Sequence, residues 1–267
     1  MTTRTTPGAI ARSTRSRDGT AIAWWTSGTG PDLLLVHGTT ADHTRWEVMT
    51  PLLEPHVTVH AMDRRGRGGS GDAPDYSLAA EADDVAAVVD AIGGPVDVFG
   101  HSQGALCTLE ASLRTSGMRR MVLYEPPIEV AAPPEVRRRV AELVARGRRD
   151  EAVGVFLREV AGLTDDQLAR ARTLPSWAAR VAAAHTAVRE EEVSAAYRFD
   201  PARFARSAVP TLLLDGTESP PDLREGTARV AAALPGARVT RLEGHGHVAM
   251  LTDPELVVRE VLAFLAG

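Results

Sequence analysis

The chain predicts an α/β fold: a mostly parallel central sheet with helices on both faces, plus a small helical cap. Three observations carry this reading. Short apolar runs recur at residues 33–36, 57–62, 96–99, 121–124 and 211–214, each brief enough for a buried strand. Helical patterns separate most of them, and alternation of this kind builds parallel sheets covered on both faces. One long stretch, 131–206, breaks the rhythm with helical patterns and no convincing strand.

Taken in order, Asp18-Gly19 marks a hairpin turn between residues 11–17 and 20–25. The run at 33–36 follows Gly28-Thr29-Gly30-Pro31, and the run at 57–62 closes on Asp63. A helix is predicted over 78–92, with Ser77 as cap, Leu78, Val85, Val88, Val89 and Ile92 as its apolar face, and Gly93-Gly94 as its end. After the strand at 96–99, residues 105–113 read as a helix with Leu106, Leu109 and Leu113 on one face. The stretch 131–206 opens on Pro133-Pro134 and continues in Ala, Arg, Glu and Val, which reads as a helical insertion at the sheet edge where sites form. The last helix starts with Asp253 as cap and Pro254 at its first position, turning Leu256, Val261, Leu262 and Leu265 inward. The boundaries are therefore a core of residues 1–130 and 207–267 and a cap of 131–206.

With 267 residues the chain can bury one substantial core. Its 44% hydrophobic and 24% charged content is that of a globular protein rather than a disordered one. A net charge of −5 argues against nucleic acid or an anionic membrane as partner, leaving a small-molecule substrate. All 30 basic residues are Arg, so Schiff-base and Lys-base chemistry are excluded. Cys107 is alone, so no internal disulfide forms, and its place inside a helix reads as core. Residues 1–17 lack the apolar run of a signal peptide, and no window approaches a membrane span. The expectation is a cytoplasmic monomer or homodimer with a short frayed start and no cofactor.

Chemistry concentrates at Gly100-His101-Ser102-Gln103-Gly104. The G-x-S-x-G pattern has meaning when a strand precedes it and a helix follows, as both predictions do here. Such a turn exposes a nucleophile, Ser102, and aims the next backbone N–H, that of Gln103, at a developing oxyanion. The bland alternative is a chance match in a Gly-rich chain, which the flanking elements weaken. A second piece, His37-Gly38-Thr39-Thr40, directly follows the strand at 33–36, and the Thr39 N–H is assigned as the other oxyanion donor. Gly66-Arg67-Gly68-Gly69-Ser70-Gly71 matches a dinucleotide fingerprint, but Asp72-Ala73-Pro74-Asp75 blocks the helix that such a site requires.

On these motifs the chain resembles the α/β-hydrolase fold superfamily over nearly all its length. The resemblance rests on His37-Gly38 with Trp46 following, on the loop Asp63-Arg64-Arg65-Gly66-Arg67-Gly68-Gly69-Ser70, on the Ser102 turn, and on Gly244-His245-Gly246-His247. It implies a helical cap at the insertion, a bracing role for Asp63 and Arg65, and His247 as the base. Residues 248–252 and the helix start at Asp253-Pro254 independently fit a loop returning over the strand ends. A metal pair of His245 and His247 is the weaker reading, because no third ligand pattern accompanies it.

The acid departs from the family pattern. Most members carry an Asp three residues after the glycine here represented by Gly216, and that position holds Ser219. Some relatives, including a branch of the haloalkane dehalogenases, carry the acid after the preceding strand, which here ends in Glu125-Pro126-Pro127. Glu125 is the first choice and Glu218 the second; a solvated loop acid is the ordinary fate of either.

The expected function is serine hydrolysis of a small ester, thioester or lactone through an acyl-enzyme. Carbon–carbon hydrolysis, lyase chemistry and acyl transfer stand as alternatives, as does a non-catalytic binding protein on the same scaffold. Ser at 102 argues against the Asp-ester mechanism of dehalogenases and epoxide hydrolases. Arg137-Arg138-Arg139 reads as a solvated helix face, while Trp177 and His185 could line the pocket or simply pack. With five Phe, four Trp and three Tyr in the chain, an aliphatic pocket is expected rather than an aromatic cage.

Overall fold

Every predicted strand lies in one eight-stranded sheet, with order β1-β2-β4-β3-β5-β6-β7-β8. The computed structural model describes residues 9–267, so the expected frayed start lies, up to residue 8, outside the described residues. The strands are β1 (Ile10–Arg15), β2 (Ala21–Gly28), β3 (Asp32–Val36), β4 (Thr58–Met62), β5 (Val96–His101), β6 (Met118–Tyr124), β7 (Thr211–Gly216) and β8 (Arg238–Leu242). β1 pairs antiparallel with β2, and β2 antiparallel with β4. All remaining pairings are parallel.

The helices are α1 (Thr50–Leu53), α2 (Leu78–Ile92), α3 (Gln103–Ala111), α4 (Pro134–Ala145), α5 (Arg149–Glu159) and α6 (Asp165–Thr173). They continue as α7 (Trp177–Ala182), α8 (Thr186–Ala196), α9 (Pro221–Ala233), α10 (Ala249–Thr252) and α11 (Pro254–Ala266). Among the described residues no helix is long and apolar enough to cross a membrane.

Strand periodicity explains the two-sided core. Leu33 and Leu35 point to one face, packing with Trp46, Phe99, Val122 and Val257. Leu34 and Val36 point to the other, packing with Val85, Val88, Leu106 and Leu109 of α2 and α3. Ser77 caps α2 by accepting the Ala80 N–H, and left-handed Gly93 closes it, as the sequence predicts. Asp253 caps α11 by accepting the Leu256 N–H.

Several elements differ from expectation: the sequence predicts no element where α1 lies, and a loop over residues 248–252, where α10 lies. α3 begins at Gln103 rather than 105 and ends at Ala111 rather than 113, because the helix starts on the very turn that carries Ser102. β8 and α9 were not anticipated. β8 is an edge strand whose sequence RVTRL is largely exposed, so it lacks the apolar run that marks the inner strands. α9 carries Gly226 in its interior, where a Cβ would press the Pro126 carbonyl at 3.1 Å and Ile128 at 3.3 Å. Helices α4 to α8 all fall between β6 and β7, placing them at the end of the sheet where β5 delivers Ser102.

Candidate active site

β5 ends at His101, Ser102 takes φ 55° and ψ −126°, and α3 starts at once. The turn is possible because its glycines lie against backbone. A Cβ at position 104 would sit 2.2 Å from the Val36 carbonyl oxygen and 2.5 Å from that of His37. A Cβ at position 100 would sit 2.7 Å from Ala105 Cα and from Thr108 Oγ1. Positive φ is costly for residues with side chains. Among the described residues it occurs without glycine only at Thr40, Ser102, Glu125 and Glu129. Of these, Ser102 lines a cleft, Thr40 follows the Thr39 of the same cleft, and Glu125 bonds its His247.

Gly38 lies directly against the Ser102 turn, since a Cβ there would meet Ser102 Cβ at 3.0 Å. This proximity brings Thr39 to Ser102, and both line a narrow cleft of about 30 Å³ together with His247, His101, Arg45, Arg180, Phe156, Leu157 and Val248. The Thr39 and Gln103 backbone N–H groups donate to no other described protein group. Gln103 is also the first residue of α3, where helix N–H groups lack intrahelical acceptors.

Glu125 is fully buried at the end of β6. Its Oε2 accepts from His247 Nδ1 at 2.6 Å and its Oε1 from the Gly216 N–H at 2.7 Å. Glu125 is therefore brought to His247. Glu218 is not: it is exposed and is held only through its backbone N–H, which donates to the His245 carbonyl at 2.9 Å. Ser219, at the usual acid position, is buried with an unpartnered Oγ beside Gly216. With Nδ1–H given to Glu125, His247 turns Nε2 toward the cleft; no hydrogen bond joins it to Ser102 in this structure.

Two residues that sequence reasoning missed fix the loop carrying His247. His101 Nε2 donates to the His247 carbonyl at 2.8 Å, and burial first, then the neighbouring positive groups, holds His101 neutral, well below the ordinary histidine range. The Tyr124 hydroxyl donates to the Gly246 carbonyl and accepts the Ala249 N–H at 3.2 Å. The available signal was a polar side chain at a strand end with no solvent to face. A third, Glu190 of α8, accepts from Thr39 Oγ1 at 2.7 Å and pairs with Arg64 and Arg67, tying the cap helices to the Thr39 loop.

Other sequence-singled residues are placed elsewhere. Trp177 donates Nε1 to Asp150 at 2.7 Å and His185 Nδ1 donates to the Ala182 carbonyl at 3.1 Å; neither lines the Ser102 cleft. Arg180, one turn from Trp177 on α7, does line it. The apolar lining of the cleft is mostly aliphatic, Ala41, Leu157, Ala161 and Val248 with Phe156, as expected, and two arginines join it. Arg139 pairs with exposed Glu159, whereas Arg137 and Arg138 line a separate cavity. Burial pushes the Cys107 thiol up, consistent with core packing. His245 approaches Thr252 and Asp253 rather than sharing a ligand geometry with His247.

One cluster has ligand-type atoms close together, Asp42, His43 and Asp63. Its oxygens are already engaged in bracing the loop. Asp63 accepts from the His43 N–H at 2.7 Å, His43 Nδ1 at 2.9 Å and the Gly69 N–H at 2.7 Å, and Asp42 accepts from the Thr44 N–H at 3.0 Å. Arg65 completes the bracing through Asp84 at 2.7 Å and Asp18 at 2.9 Å.

Comparison with known proteins shows the family. A family model described as "Alpha/beta hydrolase family" matches residues 33–260. An alpha/beta hydrolase from Sphaerobacter thermophilus has 36% sequence identity and a TM-score of 0.82, covering 95% of this chain and 100% of that one. The N-formylmaleamate deformylase of Pseudomonas putida is 34% identical over 105 residues, 38% of this chain, and the matched stretch spans only 39% of that relative's length. The (E)-2-((N-methylformamido)methylene)succinate hydrolase of Acinetobacter baylyi is 24% identical over 276 residues, covering 96% of this chain and 98% of that protein.

Proposed function

Because the chain belongs to the alpha/beta hydrolase family, we propose that it is a serine hydrolase cleaving a small ester, thioester or lactone through an acyl-enzyme. The observation that carries the proposal is the 2.6 Å contact between Glu125 and His247, in a cleft that also holds Ser102 on a strained turn.

Ser102 Oγ attacks the carbonyl while His247 Nε2 takes its proton, and Glu125 holds the Nδ1–H tautomer and stabilises the imidazolium. The Thr39 and Gln103 N–H groups receive the oxyanion, the second supported by the positive end of α3. Collapse of the tetrahedral species breaks the bond to the leaving group, which takes the proton from His247. Water then attacks the acyl-enzyme with His247 again as base, releasing the carboxylic acid and restoring Ser102. Cleavage of a formyl amide is the second reading, favoured by the likeness to the deformylase.

A fluorophosphonate probe tests the proposal. Ser102 should label, the label should map to its tryptic peptide, and Ser102→Ala should abolish it. A folded wild-type protein that fails to label at Ser102 overturns the reading.

A further inference from the structure

Five arginines are buried among the described residues: Arg45, Arg64, Arg65, Arg67 and Arg180. Three of them are neutralised by carboxylates: Arg64 by Glu81 and Glu190, Arg65 by Asp84 and Asp18, Arg67 by Glu190. The other two have no carboxylate within ion-pair distance among the described residues. Arg180 has one side-chain hydrogen bond, Nη1 donating to Thr40 Oγ1 at 3.2 Å, and Arg45 has none. These two are the arginines that line the Ser102 cleft.

The arrangement is unfavourable for the empty protein. Burial, then repulsion from Arg180, lowers the Arg45 guanidinium to about 9, and burial lowers Arg180 to about 10, so both remain cationic at neutral pH. Asp42 and Glu47 attract Arg180 from beyond ion-pair range, and Glu47 also attracts Arg45. Asp42 is already committed to Thr44 through its backbone N–H and hydroxyl. Two buried guanidinium groups without an ion-pair carboxylate, one of them bonded to Thr40 alone, face a cleft that also holds Ser102, where an anion supplied from outside can pair with both.

Resting on the hydrolase reading, we infer that Arg45 and Arg180 form a subsite for a substrate carboxylate, so the enzyme takes small carboxylate-bearing acyl compounds such as half-esters of short dicarboxylic acids. The arginines come from different elements: Arg45 from the 3-10 helix His43–Trp46 after β3, Arg180 from α7 among the inserted helices. A carboxylate accepting from both bridges the sheet's loop to those helices. The small cleft keeps the carboxylate within a few bonds of the carbonyl that Ser102 attacks, and Phe156, Leu157 and Val248 cover the carbon chain between.

The test compares monomethyl succinate with the neutral methyl ester of succinamic acid, which has nearly the same shape. Wild type should favour the half-ester by at least about tenfold in kcat/KM, mostly through KM, as expected for charge-assisted hydrogen bonds. Arg45→Met and Arg180→Met should each bring that ratio toward one, and Arg180→Lys should recover part of it. Succinate should raise the Tm of wild type and of Ser102→Ala, but not of Arg45→Met. Ligand-free Arg45→Met should have a higher Tm than wild type, since it loses an unpartnered buried charge; a lower Tm would mark Arg45 as structural and overturn the inference. Succinate should also inhibit wild type competitively, a readout that needs no variant to fold.

Equal kcat/KM for the two esters with no succinate binding overturns the subsite and leaves the hydrolase reading intact. Stabilisation by inorganic phosphate in preference to succinate overturns the carboxylate assignment. Succinate binding that depends on Arg45, without ester turnover or probe labelling, upholds the subsite and removes the hydrolase reading instead.

Discussion

Glu125 Oε2 lies 2.6 Å from His247 Nδ1, and the second oxygen of the same carboxylate accepts the Gly216 N–H at 2.7 Å. Gly216 ends β7, so the backbone of that strand anchors the carboxylate that meets His247. Glu125→Gln keeps the shape but presents an amide that can no longer enforce the Nδ1–H tautomer. Its kcat on p-nitrophenyl acetate should fall by roughly 10³–10⁴ with circular dichroism unchanged. Glu218→Gln, at an exposed position, should stay within about twofold. Near-full activity in Glu125→Gln would mean that His247 is oriented by another group.

Ser102→Ala removes the only atom that the proposed mechanism uses to form a covalent bond. On an activated ester kcat should drop by roughly 10⁴–10⁶, leaving the residual rate that the oxyanion donors and binding supply. Pre-steady-state kinetics with excess substrate should also lose the burst that signals acyl-enzyme formation. A loss under tenfold would show that the reaction does not pass through Ser102.

Legibility in the sequence followed how local the signal was. β3 and β5 could be read because each carries a short apolar run, residues 33–36 and residues 96–99 interrupted only by Asp97, and the Ser102 turn because its glycines recur at fixed spacing. β8 could not, because an edge strand facing solvent needs no apolar run. His247 is pointed to by the family resemblance and Glu125 by its place after β6 as in some relatives, although the contact between them spans 122 residues. His101, Tyr124 and Glu190 owe their roles to partners 123 to 151 residues away, or to a carbonyl in a distant loop, so their types alone carried no message. Arg45 and Arg180 were hidden differently: among 30 arginines, the two that matter stand out only by what they fail to pair with.

Tyr124 adjoins Glu125 and bonds the His247 loop at two points, Gly246 and Ala249. Burial, then the charge of Glu125, pushes its hydroxyl above the ordinary tyrosine range, so it stays protonated and can both donate and accept. Tyr124→Phe leaves a buried carbonyl and N–H unsatisfied, which should cost about 1–3 kcal/mol in urea unfolding. Misplacing His247 by a fraction of an ångström should lower kcat by roughly ten- to a hundredfold while KM moves little. Equal losses in kcat for Tyr124→Phe and for an unrelated variant of matched stability would reduce Tyr124 to a packing role.

Glu190 joins the inserted helices to the loop bearing Thr39. It accepts from Thr39 Oγ1 at 2.7 Å while sharing its charge with Arg64 and Arg67. Burial alone would raise its carboxyl, but the two guanidinium groups win and hold it down to about 2, against an ordinary 4.5. A depressed folded-state value means that the ionised form favours folding: the contribution is complete above pH 4.5 and disappears as pH falls through about 2. A displacement of this size corresponds to about 3 kcal/mol. Glu190→Gln, which leaves Arg67 without its carboxylate, should therefore lose about 3–5 kcal/mol at pH 7. Because wild type itself protonates as the medium becomes acid, the gap between the two proteins should narrow from pH 4.5 downward. Urea midpoints at pH 7 and pH 3 measure this directly. A gap of the same size at both values would show that Glu190 acts through shape rather than charge. A variant that also loses kcat at pH 7 would place the Thr39 donor under the control of the inserted helices.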